Sequence, residues 1–124
     1  MAARVVLRAA GSSSSVSSGT LVAELAAATG KKLVEWSLYA GHGTSAGTQE
    51  RIIVTFSDNS TVTQDSVSGT GLSHLANVAA IFRRGPGLRT TVGTTLPVIK
   101  LRVETQDVGA GPRYAVISAV EVSQ

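Results

Sequence analysis

Between residues 33 and 40 the chain alternates: Val34, Trp36 and Leu38 fall on one side, Glu35, Ser37 and Tyr39 on the other. Successive side chains of an extended backbone leave opposite faces, so a period of two marks a strand with one face buried. The pattern returns at 51–57, where Ile52, Val54 and Phe56 share a face. It returns again in two long segments, 96–106 and 113–123. In the first, Ile99, Leu101 and Val103 oppose Lys100, Arg102 and Glu104. In the second, Tyr114, Val116, Val120 and Val122 oppose Ala115, Ile117 and Ala119. A chain with this many alternating runs has to build a sheet.

The punctuation between runs predicts hairpins. Asp58-Asn59 separates 51–57 from Thr61-Val62-Thr63-Gln64, and both residues tolerate positive φ, which suits a tight turn. Asp107-Val108-Gly109-Ala110-Gly111-Pro112 suits a longer hairpin loop between the last two strands. Residues 4–9 read as a first strand. The Ser-rich stretch from Gly11 to Gly19 has little to bury and reads as a linker, so 1–19 is expected to be an arm and 20–124 one globular domain.

Two segments carry helical spacing instead. Thr20 is placed to cap a helix in which Leu21, Leu25 and Ala28 share a face, with Gly30 ending it. From 72 to 84, Leu72, Leu75, Ala76, Ala79 and Phe82 recur at i, i+3, i+4, with Arg83 and Arg84 at the negative end and Gly85-Pro86-Gly87 as the stop. Residues 88–95 read as loop. The expected fold class is therefore α+β: a mostly antiparallel sheet of hairpins with two short helices.

Of 124 residues, only 4% are aromatic, so the core is built from small side chains and gains from contact with other subunits. The absence of cysteine removes disulfides and thiolate chemistry. A net charge of +3 with 15% charged residues makes a mild field, weaker than dedicated nucleic-acid proteins carry. No run approaches the roughly 18 apolar residues of a membrane helix, and the opening segment is too short for a secretion signal. The expected place of synthesis is a cytoplasm, with no membrane partner.

The chemistry-bearing residues do not converge. Gly41-His42-Gly43-Thr44-Ser45-Ala46 resembles a dinucleotide-binding turn, but such a turn must lead into a helix, and this one leads into the alternating run at 51–57. His42 and His74 have no ligand cluster and no nucleophile at a usable spacing, and the carboxylates are scattered. No enzyme, cofactor or metal site is expected. Arg83, Arg84 and Arg89 surround a glycine loop that could approach phosphates, yet no aromatic residues interleave with them to stack bases. Nucleic acid is therefore not the favoured partner. Asn59-Ser60-Thr61 matches a glycosylation acceptor and is read as chance.

In composition and layout, a small cysteine-free Ser/Thr/Gly/Ala/Val-rich hairpin chain with a polar N-terminal arm resembles the capsid cement or decoration proteins of tailed bacteriophages. The resemblance covers the whole chain and involves no diagnostic motif. It implies a virion location and a homo-oligomer, often a trimer, that fastens neighbouring copies of the major capsid protein. A tail or head-completion role is close behind. From the residues themselves, the expected contact positions are Arg4, Val5, Val6 and Leu7, whose strand could pair with a neighbouring subunit, together with Arg83, Arg84 and Arg89. The alternative is a bacterial binding module that takes nucleic acid or another anionic polymer through those three arginines.

Overall fold

Every regular element among the described residues is a strand. The computed structural model describes residues 5–13, 18–42, 50–65, 72–76, 81–84, 88–91, 96–106 and 112–124. In chain order the strands are β1 (Val5–Ser13), β2 (Leu21–Ala26), β3 (Lys31–His42), β4 (Glu50–Phe56), β5 (Thr61–Asp65), β6 (Leu72–Ala76), β7 (Ile81–Arg84), β8 (Leu88–Thr91), β9 (Val98–Thr105) and β10 (Arg113–Ser123). All pairings between them are antiparallel. The expected α+β class is overturned: this is an all-β chain over its described length.

β3 organises the sheet. One edge pairs with β10 from Lys31 to His42, while the other meets β9 at Leu33 and β6 from Trp36 to Ala40. β9 is flanked by β2 and β4, β4 carries β5, and β10 carries β1 along its other edge. Five strands, β1-β10-β3-β9-β2, thus curl round until the first meets the last. The meeting point is Gly11 of β1, where a Cβ would collide with the backbone carbonyl of Val22. Only glycine allows two backbones to come this close.

Inside the ring lies one apolar cluster. Trp36, Ile52, Val54, Leu101, Val103 and Ile117 are fully buried, joined by Leu25, Leu33, Leu38, Phe56 and Val98. Leu7 and Ala9 of β1 pack against its margin. Glu50, Thr105 and Arg113 are buried at one end. Glu50 and Thr105 are cross-strand partners, as are Arg113 and His42, and each of the three buried residues is partnered, as buried polar groups must be.

Three bulges explain why sequence spacing misled. In β2 the register steps from Leu21–Glu104 to Ala23–Val103, so Val22 is an extra residue and both Val22 and Ala23 are buried. In β3 the register steps from Val34–Val120 to Ser37–Ser118, leaving Glu35 and Trp36 opposite the single residue Ala119. Glu35 takes φ 49°, the left-handed bulge conformation. In β9, Val98 pairs with Phe56 and Lys100 with Thr55, so Ile99 is the extra residue. Each bulge inverts the parity of the strand beyond it. Leu33, not Val34, therefore joins Trp36 and Leu38 in the core, and Val98, not Ile99, joins Leu101 and Val103.

The helix expected at 20–28 is strand β2: Leu25 is buried, whereas Leu21 and Ala28 are exposed, so the presumed stripe is not one face. A bulge placed in a period-two pattern produces spacings of one and three that imitate a helix. The helix expected at 72–84 is replaced by β6 and β7, and β8 occupies part of the expected loop at 88–95. The open edge of β3 at Trp36–Ala40 supplies β6 with a ladder, and such a tertiary partner outweighs weak helix propensity.

The turn expected at Asp58-Asn59 is present. Asn59 has φ 69° and its N–H donates to the Phe56 carbonyl at 2.8 Å, while Asp58 Oδ1 accepts from the Ser60 N–H at 2.9 Å and from the Ser60 hydroxyl. The hairpin expected between 96–106 and 113–123 is absent: β9 pairs with β2, β3 and β4, and β10 with β1 and β3. The loop 107–111 itself lies outside the described residues.

Candidate functional site

The core takes one side of β2, β3, β4, β9 and β10, and two outer faces of differing character remain. The first spans β1, β10 and β3. Cross-strand partners arrange it in rows: Val6–Val120–Val34, Arg8–Ser118–Ser37, Ala10–Val116–Tyr39 and Ser12–Tyr114–Gly41. Arg8 is the one charged residue in these four rows. Val6 is 77% exposed, Tyr39 46% and Tyr114 43%. Most of the Val6 side chain, and a little under half of each tyrosine, is therefore against water.

The local structure of this face follows from Gly41. A Cβ there would lie 2.6 Å from the Tyr39 hydroxyl and 2.9 Å from the Tyr114 ring. Both rings therefore lean over a residue with no side chain, an aromatic cover for a strand glycine. Their centroids are 6.1 Å apart and their planes meet at 24°. The Tyr39 phenol is held above the usual tyrosine range, first by desolvation, then by the charge of Tyr114, by a hydrogen bond between the two phenols, and by Glu50. Along the next polar row, the Ser37 and Ser118 hydroxyls share a hydrogen bond of 2.8 Å.

The second outer face spans β2, β9 and β4, in rows Leu21–Glu104–Arg51, Glu24–Arg102–Ile53 and Ala26–Lys100–Thr55. Ion pairs tie it together. Arg102 Nε donates to Glu104 at 2.8 Å and its Nη1 to Glu24 at 3.1 Å, while Arg51 stands 4.0 Å from Glu104. The hydrogen bond to Glu104 is the main reason the Arg102 guanidinium titrates above its ordinary value. On this face Arg51, Arg102, Glu24 and Glu104 pair with one another, and Leu21 at its margin is 46% exposed.

Of the expected contact residues, Val5 and Val6 are exposed and Leu7 is half-buried against the core. β1 lies on β10 of its own chain, from Val5–Glu121 to Ser13–Arg113, and it extends through Gly11, Ser12 and Ser13. Arg4 lies outside the described residues. Arg83 of β7 and Arg89 of β8 are cross-strand partners, and Arg84 pairs with Leu88, so a two-stranded ladder replaces the helix end assigned to Arg83 and Arg84. His74 is opposite Leu38 on β3, and His42 ends β3 opposite Arg113. Residues 43–49, with most of the glycine loop, lie outside the described residues; the chain re-enters as strand β4. Among the described residues, no group of three metal-ligating side chains occurs and no helix is long and apolar enough to cross a membrane.

Sequence reasoning placed Tyr39 opposite Trp36 and Tyr114 beside Val116, both correctly. It missed that the two tyrosines are neighbours. That follows only from the β3–β10 register, whose one trace in the sequence is a glycine two residues after Tyr39. No protein-family model matches the chain, and no curated protein matches it.

Proposed function

We propose that this chain is a structural virion protein, a cement or decoration subunit that self-associates and fastens neighbouring capsid proteins through its valine–tyrosine face. The observation that carries the reading is the contrast between the two outer faces. Strands about 4.8 Å apart, with rows about 7 Å apart, make the whole face about 400 Å², a little over half of it valine, alanine and tyrosine. It is about half of what each partner gives to a standard stable interface, near 800 Å². A surface of that size holds when many copies are arrayed together, which is the condition of a subunit on a shell.

Chemistry needs converging groups, and the side chains on this face are valine, alanine, serine and tyrosine with one arginine. Docking uses what is there: aliphatic rows for burial, tyrosines as rigid amphipathic anchors, and Arg8 and the serines for orientation.

The test is native mass spectrometry with light scattering over a range of concentrations, comparing wild type with the double variant Val6→Glu/Tyr114→Glu. Wild type should form oligomers whose mass changes little with salt, and the double variant should remain monomeric with an unaltered strand spectrum. A wild-type chain that stays monomeric at all concentrations and leaves capsid shells undecorated would refute the proposal. The alternative, an anionic-polymer binder, draws on the placement of Arg83 opposite Arg89. It requires affinity for a polyanion that drops steeply between about 50 and 200 mM salt.

A further inference from the structure

We infer that the valine–tyrosine face recognises an acidic side chain of the partner protein. This is an aspartate or glutamate carried between apolar residues and seated on Arg8 and the Ser37–Ser118 hydroxyl pair. The inference rests on the docking reading above and adds the chemistry of the partner.

Arg8 sets the requirement. On β1 the half-buried residues are Leu7, Ala9, Gly11 and Ser13, so Val6, Arg8, Ala10 and Ser12 stand outward, and Arg8 is exposed. Cross-strand pairing puts Ser118 directly opposite Arg8, and Ser37 opposite Ser118. Residues two positions away share a side of their strand, which places Val6 and Ala10 along β1, and Val120 and Val116 along β10, around this pair. A partner that covers these four also covers Arg8. Removing a guanidinium from water without a counter-charge is strongly unfavourable, so the partner has to bring the anion. The chain itself does not supply one. Among the described residues Arg8 enters no ion pair. The Glu121 carboxylate, on the residue opposite Val5, accepts from the Ala28 N–H at 2.8 Å, and Glu35 in the β3 bulge has a contact of its own. The next row out, Val122–Lys32, adds a second cation rather than an acid.

The serines complete the seat. The Ser37 and Ser118 hydroxyls are 2.8 Å apart, and the bond between them uses one of their two protons. The other O–H can donate to one carboxylate oxygen while the second oxygen meets the guanidinium, whose N–H groups are all donors. An isolated cation in an apolar surround also separates protein from nucleic acid as the partner. One guanidinium neutralises one phosphate, whereas nucleic acid gains its affinity from many such contacts. A single carboxylate among apolar side chains complements this face charge for charge.

The test selects short random peptides on immobilised wild type and discards those that also bind Val6→Glu/Tyr114→Glu, so that the survivors depend on the face. They should carry Asp or Glu between apolar residues. For the leading peptide, replacing its acid by the amide should weaken binding about tenfold or more. Arg8→Met should do the same, and the two changes together should cost little more than either alone. Methionine keeps the aliphatic contact of Arg8, and circular dichroism checks that the strands are intact. On Arg8→Glu, the same selection should return Lys or Arg in place of the acid. Face-dependent peptides that lack an acid, or undiminished binding to Arg8→Met, would mean that Arg8 turns out to water. The inference is then overturned and the docking reading stands. Oligothymidylate should not displace the peptide; displacement at low salt that vanishes at high salt would overturn the inference in favour of an anionic polymer. If no peptide depends on the face, the inference falls, and the mass and shell measurements above decide whether docking falls with it.

Discussion

The two outer faces are built on strands of the same ring, over the same core, and differ in how they treat water. On β2, β9 and β4, Glu24, Arg102, Glu104 and Arg51 form a continuous run of opposite charges. On β1, β10 and β3, the equivalent positions are Val6, Val120, Val34, Val116 and the two tyrosines. A folded chain gains nothing in stability from exposed valine. The proposed docking would cover that valine, whereas the charged lattice already pairs its own ions. Inspection of the core alone would not separate the two.

Changes that destroy the ring should abolish the contrast altogether. Trp36→Ala removes the largest fully buried side chain and should cost about 3–5 kcal/mol, measured by urea unfolding, with assembly lost as a consequence. Gly11→Val forces β1 away from Val22 and should cost about 1–3 kcal/mol, with early thermal unfolding. Next in size is Arg102→Ala on the charged face. It should cost no more than about 1 kcal/mol, because Arg102 and both acids keep some contact with water. The loss should shrink in high salt, and the oligomeric mass should not change. If Arg102→Ala disperses the oligomer while Val6→Glu/Tyr114→Glu does not, the roles of the faces are reversed.

The smallest effect concerns pH. The folded-state pKa of Tyr39 is raised, so the folded chain holds that proton more tightly than the unfolded chain does. Its contribution is complete below the ordinary tyrosine value near 10 and is lost as pH rises through the folded value. Absorbance titration should show one tyrosine ionising late, and Tyr39→Phe should remove both the late step and the matching fall in stability.

Much of the sheet was legible in the sequence. Trp36, Leu38, Ile52, Val54, Phe56, Leu101, Val103, Ala115, Ile117 and Ala119 follow from period two, and Asp58-Asn59 marks its own turn. What failed did so at Val22, Glu35 and Ile99, where one extra residue reverses the parity, and no local signal distinguishes a bulge from the start of a helical repeat. β9 and β10 were read as a hairpin because they are consecutive and long. Their partners are instead set by which edges remain open after β3 has paired, a global property. The valine–tyrosine face was half visible: period two set Ser37 and Tyr39 opposite Trp36 and put Tyr114, Val116 and Val120 on one side of their strand, but it sent Val34 to the core, and the union into one surface required the register between β1, β10 and β3.

The closure at Gly11 has a mechanical consequence. β1 is stitched to the molecule along a single edge, by its ladder to β10, and at its other margin it merely leans on β2. Prising it loose breaks one ladder instead of two, so the ring has a built-in seam. Opening there would uncover the edge of β10 opposite Val5–Ser13, so the wall should part first at this seam when the molecule is pulled or partly denatured.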